Sequence, residues 1–136
     1  LERRAGRKSR IPTVDAVLDD ESVADLRSVP EEIKVDGDLL DYIISITRAT
    51  REDRRVEVGV SPRGTQRLFE AARAKATIEG RDYVVPDDVK QIASPVLAHR
   101  LVLTPTATVE NVNKGEIIQD VIDEIPVPTV ERSPEV

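Results

Sequence analysis

Two stretches of this chain carry a helical period together with their own start signals, and they restrict the fold to one in which helices pack on helices. In VSPRGTQRLFEAARAKATIEG, Ser61 is placed to cap a helix and Pro62 takes the first helical position, where its missing N–H costs nothing. Thr65, Leu68, Ala72 and Ala76, with Phe69 beside them, recur on one side, and Gly80 ends the run. Ala71, Ala72, Ala74 and Ala76 are small enough for a second helix to approach closely, as at the centre of a bundle. In VDGDLLDYIISITRATRE, Asp36 caps, Leu39, Leu40, Ile43, Ile44 and Thr47 form an apolar stripe, and Asp38, Asp41, Ser45 and Arg48 face water. That stripe requires a partner.

Composition agrees with helices. The chain has 136 residues, a single-domain length, and only three aromatic side chains, so its core is built from Leu, Ile, Val and Ala. Cysteine is absent, which excludes disulfides and thiolate metal sites and fits a reducing interior. No apolar run reaches the length of a membrane span or resembles the core of a signal peptide. With no methionine and an opening LERRAG, the chain is expected to be a piece of a larger protein.

The other segments complete the expected order. LDDESVADLRSVP reads as a short helix capped at Asp19, Asp20 or Ser22, with Val23, Leu26 and Val29 on one side and Pro30 closing it. EDRRVEVGV is a loop or short extended piece. DYVV is a very short strand, after which Pro86 opens a helix with Asp87 and Asp88 at its positive dipole end. Val89, Ile92, Ala93, Val96 and Leu97 continue its apolar face, with a break expected at Ser94 and Pro95. HRLVL is a second short strand, expected to pair with DYVV as a small clasp, and TPTATVENVN reads as a loop. Asn113 and Glu116 form a capping-box pattern for a last helix with Ile117, Val121 and Ile125 inward, ended by Pro126 and Pro128. The fold class is therefore all-α: a small helical bundle with a short two-stranded β-clasp. Residues 1–18 are expected to be a basic linker, 19–128 the helical domain and 129–136 a frayed tail.

Charge is uneven along the chain. The first ten residues carry Arg3, Arg4, Arg7, Lys8 and Arg10 against Glu2, a net +4, so the whole-chain charge of −6 leaves −10 on the remainder. A basic end can bind nucleic acid, and GRDYVVPDDV also resembles helix entrances of histone-like modules, but an acidic body repels phosphate. A helical nucleic-acid-binding or protein-interaction module without a nucleotide role is the alternative to the reading below. Arginine outnumbers lysine in this acidic chain, a weak pointer to a salt-rich cytoplasm.

Little chemistry is available. No Gly-rich G-x-x-x-x-G-K-[ST] loop occurs, so the chain alone is not expected to hydrolyse nucleotide. His99 is the lone histidine, has no nucleophile or base around it, and reads as structural. No metal centre is expected. Arg63 is the exception, because a cation in the first turn opposes the helix dipole at a cost of a few tenths of a kcal/mol, roughly what an acid there would gain. Such a departure occurs by chance on surfaces, and it also marks sites where phosphate meets backbone amides and a guanidinium together.

The segments VDGDLLDYIISITRATRE and VEVGVSPRGTQRLFEAARAKATIEGRDYVVPDDVKQIASPVLAHRLVL resemble the C-terminal lid domain of MoxR-type AAA+ ATPases, and NKGEIIQDVIDEIPVP is similar to the family's last helix. The resemblance implies that Arg63 occupies the second-sensor position, reaching the γ-phosphate of ATP on a core that precedes the lid. Ser61 and Arg67 are the neighbouring residues expected at the same cleft, although Arg67 also reads as an exposed helix arginine. ATP and its Mg²⁺ would be bound mainly by the absent core, with neither expected on this fragment alone. The resemblance further implies a cytoplasmic, chaperone-like remodelling ATPase, assembled through its own core into a homo-oligomeric ring, usually a hexamer, with a von Willebrand factor A domain protein as partner and no membrane role. Gly64 stands where family members often have Ala, which leaves the first turn looser.

Overall fold

The computed structural model describes residues 14–129; the basic stretch before Val14 and most of the expected tail lie outside them. Helix α1 (Asp20–Ser28) is capped by Asp19, whose Oδ1 accepts the Ser22 amide at 2.8 Å, and it buries none of its residues. A 3₁₀ turn over Val29–Glu32 leads to α2 (Gly37–Glu52), with Asp36 accepting from the Asp38 amide. Strand β1 (Val56–Val58) precedes α3 (Pro62–Ile78), and α4 (Pro86–Leu97) follows. A 3₁₀ turn over Ala98–Arg100, β2 (Val102–Leu103), α5 (Pro105–Val109) and α6 (Lys114–Glu124) complete the described chain. The fold is a helical bundle with one two-stranded sheet, as the fold class anticipated.

Helices α3 and α4 form the central hairpin, where Ala72, Ala76 and Ala93 are fully buried and allow close approach. Leu39, Ile43 and Ile46 of α2, Leu68 of α3, Leu97 of α4 and Ile117 and Ile118 of α6 fill the space between them. The α2 stripe is turned from the expected one. Leu40 and Ile44 lie 39% and 52% exposed, and Tyr42, Ile46 and Thr50 take the inward positions instead. The run LLDYIISIT offers two overlapping stripes, and the packing of β1 and α3 on the C-terminal half selects the one containing Ile46 and Thr50.

The clasp forms with a different partner. Strand β2 pairs antiparallel with β1, Val56 facing Leu103 and Val58 facing Val102, and not with DYVV. Helix α4 continues unbroken through Pro95 to Leu97, so it separates DYVV from HRLVL by about 18 Å at 1.5 Å per residue. Pro95 has no N–H to give the Gln91 carbonyl, yet the helix continues through it to Leu97. In the antiparallel hairpin the end of α4 lies beside the start of α3, where β1 arrives. Tyr83 instead joins Lys34 through an isolated parallel bridge, with the Lys34 amide donating to the Asp82 carbonyl at 2.9 Å and Val84 donating to the Lys34 carbonyl at 3.0 Å. TPTATVENVN contains helix α5: Thr104 accepts the Ala107 amide and Pro105 stands at the first position, the same start signal as Ser61 and Pro62. In α6, Ile117 and Val121 are inward as expected, joined by Ile118 and Ile122. No helix among the described residues is long and apolar enough to cross a membrane.

Candidate functional site

The mouth of α3 is held by short-range chemistry that begins on α2. Thr47 and Thr50, both buried, lie one turn apart on α2. Thr50 Oγ1 donates to the Thr47 carbonyl at 2.7 Å and accepts the Val60 amide at 3.0 Å. Thr65 Oγ1 donates to Thr47 Oγ1 at 2.9 Å, and Arg51 Nε donates to the Val60 carbonyl at 2.8 Å. Both backbone groups of Val60 are thereby satisfied by α2 side chains, and the first turn of α3 is fixed to the second helix of the bundle. Gly59 crosses the α2 backbone so closely that a Cβ would lie 2.8 Å from Arg51 Cα and N, which leaves room for hydrogen alone.

Ser61 is the cap, its Oγ accepting the Gly64 amide at 3.3 Å. Gly64 is buried, and a Cβ there would lie 2.5 Å from Val60 Cγ1 and 3.4 Å from Arg100 Cδ. The looseness expected of glycine is therefore countered: Gly64 permits a tight contact between the turn and Val60. Arg63, between cap and glycine, is exposed, and no described residue forms an ion pair or hydrogen bond with it. Arg67, one turn on, is engaged with Glu70 at 2.6 Å in an exposed pair of i and i+3 residues, worth about 0.3–0.5 kcal/mol at most.

Two further arginines border the mouth. Arg51 is exposed beyond its Nε tether, and Arg100, half-buried, donates Nε to the Val96 carbonyl at 3.0 Å while its Cδ lies over Gly64. On the approach from α2, Arg55 grips Asp53 with Nε and Nη2 and reaches Asp120 of α6 through Nη1 at 2.8 Å. These bonds hold the Asp53 carboxyl below the usual carboxylate range and raise Arg55. At the far end of α3, Arg81 donates to both Asp88 oxygens at 2.8 and 2.6 Å, while Asp88 Oδ2 accepts the Val85 amide at 2.9 Å. The hairpin is thus pinned at both ends. Among the described residues no group of three or more acidic or histidine side chains is placed to hold a metal ion.

Sequence reasoning singled out Ser61, Arg63 and Arg67, and the structure sets all three on the first two turns of α3, with Arg67 committed to Glu70. It missed Thr47, Thr50, Thr65, Arg51 and Arg100 as members of the same site. Threonines on an apolar face read as filler, and nothing in the sequence brings Arg100 to Gly64 until α4 is known to run unbroken.

Residues 48–121 of this helical bundle match the AAA lid domain family. The chain belongs to that family, and its relatives place it with the MoxR-type AAA+ lids. It is 36% identical over 123 residues to the uncharacterised Bacillus subtilis protein YeaC, covering 90% of this chain and 38% of that protein. It is 31% identical over 133 residues to the Mycobacterium tuberculosis Chaperone MoxR1, covering 91% of this chain and 35% of the relative. A solved ATPase candidate from Cytophaga hutchinsonii superimposes with a TM-score of 0.76 at 27% identity, over 80% of this chain and 36% of that one. The chain spans little more than a third of the length of these relatives.

Proposed function

We propose that this lid supplies the second-sensor arginine, Arg63, to ATP bound by the ATPase core of the same subunit, and that it couples nucleotide state to remodelling of a client. The observation that carries the reading is Arg63 itself: an exposed guanidinium without a described partner, on a turn whose backbone is fixed by four side chains of α2 and α3. The residues fit a phosphate, since the exposed Arg63 guanidinium, a planar fork of donors, stands at the positive end of a 17-residue helix. ATP supplies the phosphoryl group whose transfer the core performs. The lid's part is to orient a cation toward the terminal phosphate and to move as a rigid body when that contact is made or lost. Ser61 serves the site as the cap that shapes the turn, and Arg67, paired with Glu70, lies at its edge.

Residues 1–18 are the link to the core, 19–128 the lid and 129–136 its tail. The parent is a cytoplasmic, chaperone-like ATPase in a homo-oligomeric ring, a hexamer by family resemblance, with a von Willebrand factor A domain protein as partner and Mg²⁺ held by the core. The name of the Mycobacterium relative, a chaperone, supports this reading. The test is ATP turnover by the full-length parent with and without Arg63→Ala. Loss of a charge-assisted contact to phosphate is expected to lower turnover by at least about tenfold, and unchanged turnover removes the assignment.

A further inference from the structure

The described arginines divide into two groups. Arg48, Arg55, Arg67 and Arg81 each pair with a carboxylate: Glu52, Asp53 with Asp120, Glu70 and Asp88 respectively. Arg27, Arg51, Arg54, Arg63, Arg73 and Arg100 have no carboxylate within ion-pair distance among the described residues, although the chain carries 26 acidic side chains against 20 basic ones. Three of these six, Arg51, Arg63 and Arg100, border the same turn. Arg51 is tied to the Val60 carbonyl, Val60 touches Gly64, Gly64 carries the Arg100 side chain against it, and Arg63 is the residue before Gly64.

The tethers matter as much as the charges. Arg51 and Arg100 each use one N–H, the Nε, on a backbone carbonyl at 2.8 and 3.0 Å. That bond fixes where each guanidinium sits and leaves its terminal nitrogens for another acceptor, so part of the entropy of ordering a long side chain is lost before any ligand arrives. Cations from three elements that border one turn, with no carboxylate among the described residues to offset them, leave positive charge there that an anion would neutralise.

We propose that Arg51 and Arg100 complete, with Arg63, a three-guanidinium site for an oligophosphate chain, so that the lid contacts more than one phosphate of a bound nucleotide. The inference rests on the second-sensor reading of Arg63 and adds two binding residues to it. One arginine at a helix entrance distinguishes a terminal phosphate; three spread around the turn match the several charges of a triphosphate and bind a single phosphate less well.

The 136-residue chain is titrated with inorganic tripolyphosphate, and with orthophosphate for comparison, while backbone amides and arginine Nε–H groups are followed by NMR. Tripolyphosphate is expected to saturate with shifts confined to residues 60–65 and to the Nε–H of Arg51 and Arg100, more tightly than orthophosphate. Arg51→Gln and Arg100→Gln are each expected to weaken binding by about tenfold. Arg100→Lys, which keeps the charge, should weaken it less, and Arg27→Gln on α1 should leave it unchanged. The Thr50 and Val60 amide positions report whether the mouth stays intact in each variant. If Arg51→Gln disturbs them, Arg100→Gln decides alone. Shifts spread over Arg27 and other surface cations, an adventitious ion only, overturn the proposal, as does weakening by Arg63→Gln with neither Arg51→Gln nor Arg100→Gln having an effect. In that last case the sensor role of Arg63 survives, whereas unchanged ATP turnover in the parent's Arg63→Ala variant removes the sensor role whatever the titration gives.

Discussion

Gly64 decides how closely the entrance of α3 can lie against Val60. A methyl group there would meet Val60 Cγ1 at 2.5 Å, so Gly64→Ala is expected to destabilise by about 1–3 kcal/mol in urea denaturation despite alanine's better helix propensity. Because the obstacle is a side chain, Val60→Ala combined with Gly64→Ala should cost less than the two separately. The glycine could be read from the sequence, but only its intrinsic looseness was legible; the contact that requires it was not. Arg63 was legible because it opposes the helix dipole, a rule that local sequence can show being broken. Thr50 was not, since its hydroxyl matters only through a backbone amide ten residues away. Thr50→Val, nearly equal in shape, leaves the buried Val60 amide without an acceptor and is expected to cost about 1–3 kcal/mol by the same measurement.

The elements that carry caps and an uninterrupted period, α2, α3 and α6, stand where those signals put them. What failed at this scale was pairing. Short strands such as Val56–Val58 and Val102–Leu103 have too few residues for alternation to select a partner, and the choice depends on whether α4 passes through Pro95. The Arg81–Asp88 pair shows how the hairpin is closed at the other end. Asp88 is 2% exposed and accepts three bonds, so Asp88→Ala removes the counter-charge of Arg81 and an acceptor for the Val85 amide together. Because Arg81 keeps some access to water, the loss should fall near the low end of the buried-pair range, about 3 kcal/mol, read as a lowered melting temperature.

At the scale of the whole molecule, Asp53 and Tyr42 link stability to pH at opposite ends of the pH range. Asp53 is held below its ordinary value first by the Arg55 side-chain bonds, so its folded state binds its proton less readily than the unfolded chain does. Its contribution is present above about pH 4 and is lost as pH falls through the lowered folded value; Asp53→Asn should flatten the acid limb of a stability-against-pH curve. Tyr42 is raised, first by burial and then by Asp123 and Asp87, so its contribution is present below about pH 10 and is lost as the phenol ionises above that. The Tyr42 hydroxyl is buried with no hydrogen-bond partner, so Tyr42→Phe should leave stability at neutral pH equal or higher and flatten the alkaline limb. The Tyr42 linkage could not be read from the sequence, because it depends on α2, α4 and α6 meeting in the folded bundle, whereas the Asp53 linkage is local, with Arg55 two residues away as its main cause. The general form, helices packed mainly through aliphatic side chains in an acidic chain, could be read.

The central claim is that Arg63 reads the terminal phosphate. The most direct measurement compares the affinity of the full-length parent for a non-hydrolysable ATP analogue and for ADP, in the wild type and in Arg63→Ala. The account predicts that the analogue binds at least about tenfold more weakly to the variant while ADP binding is unchanged. Equal loss for both nucleotides, or no loss for either, contradicts it.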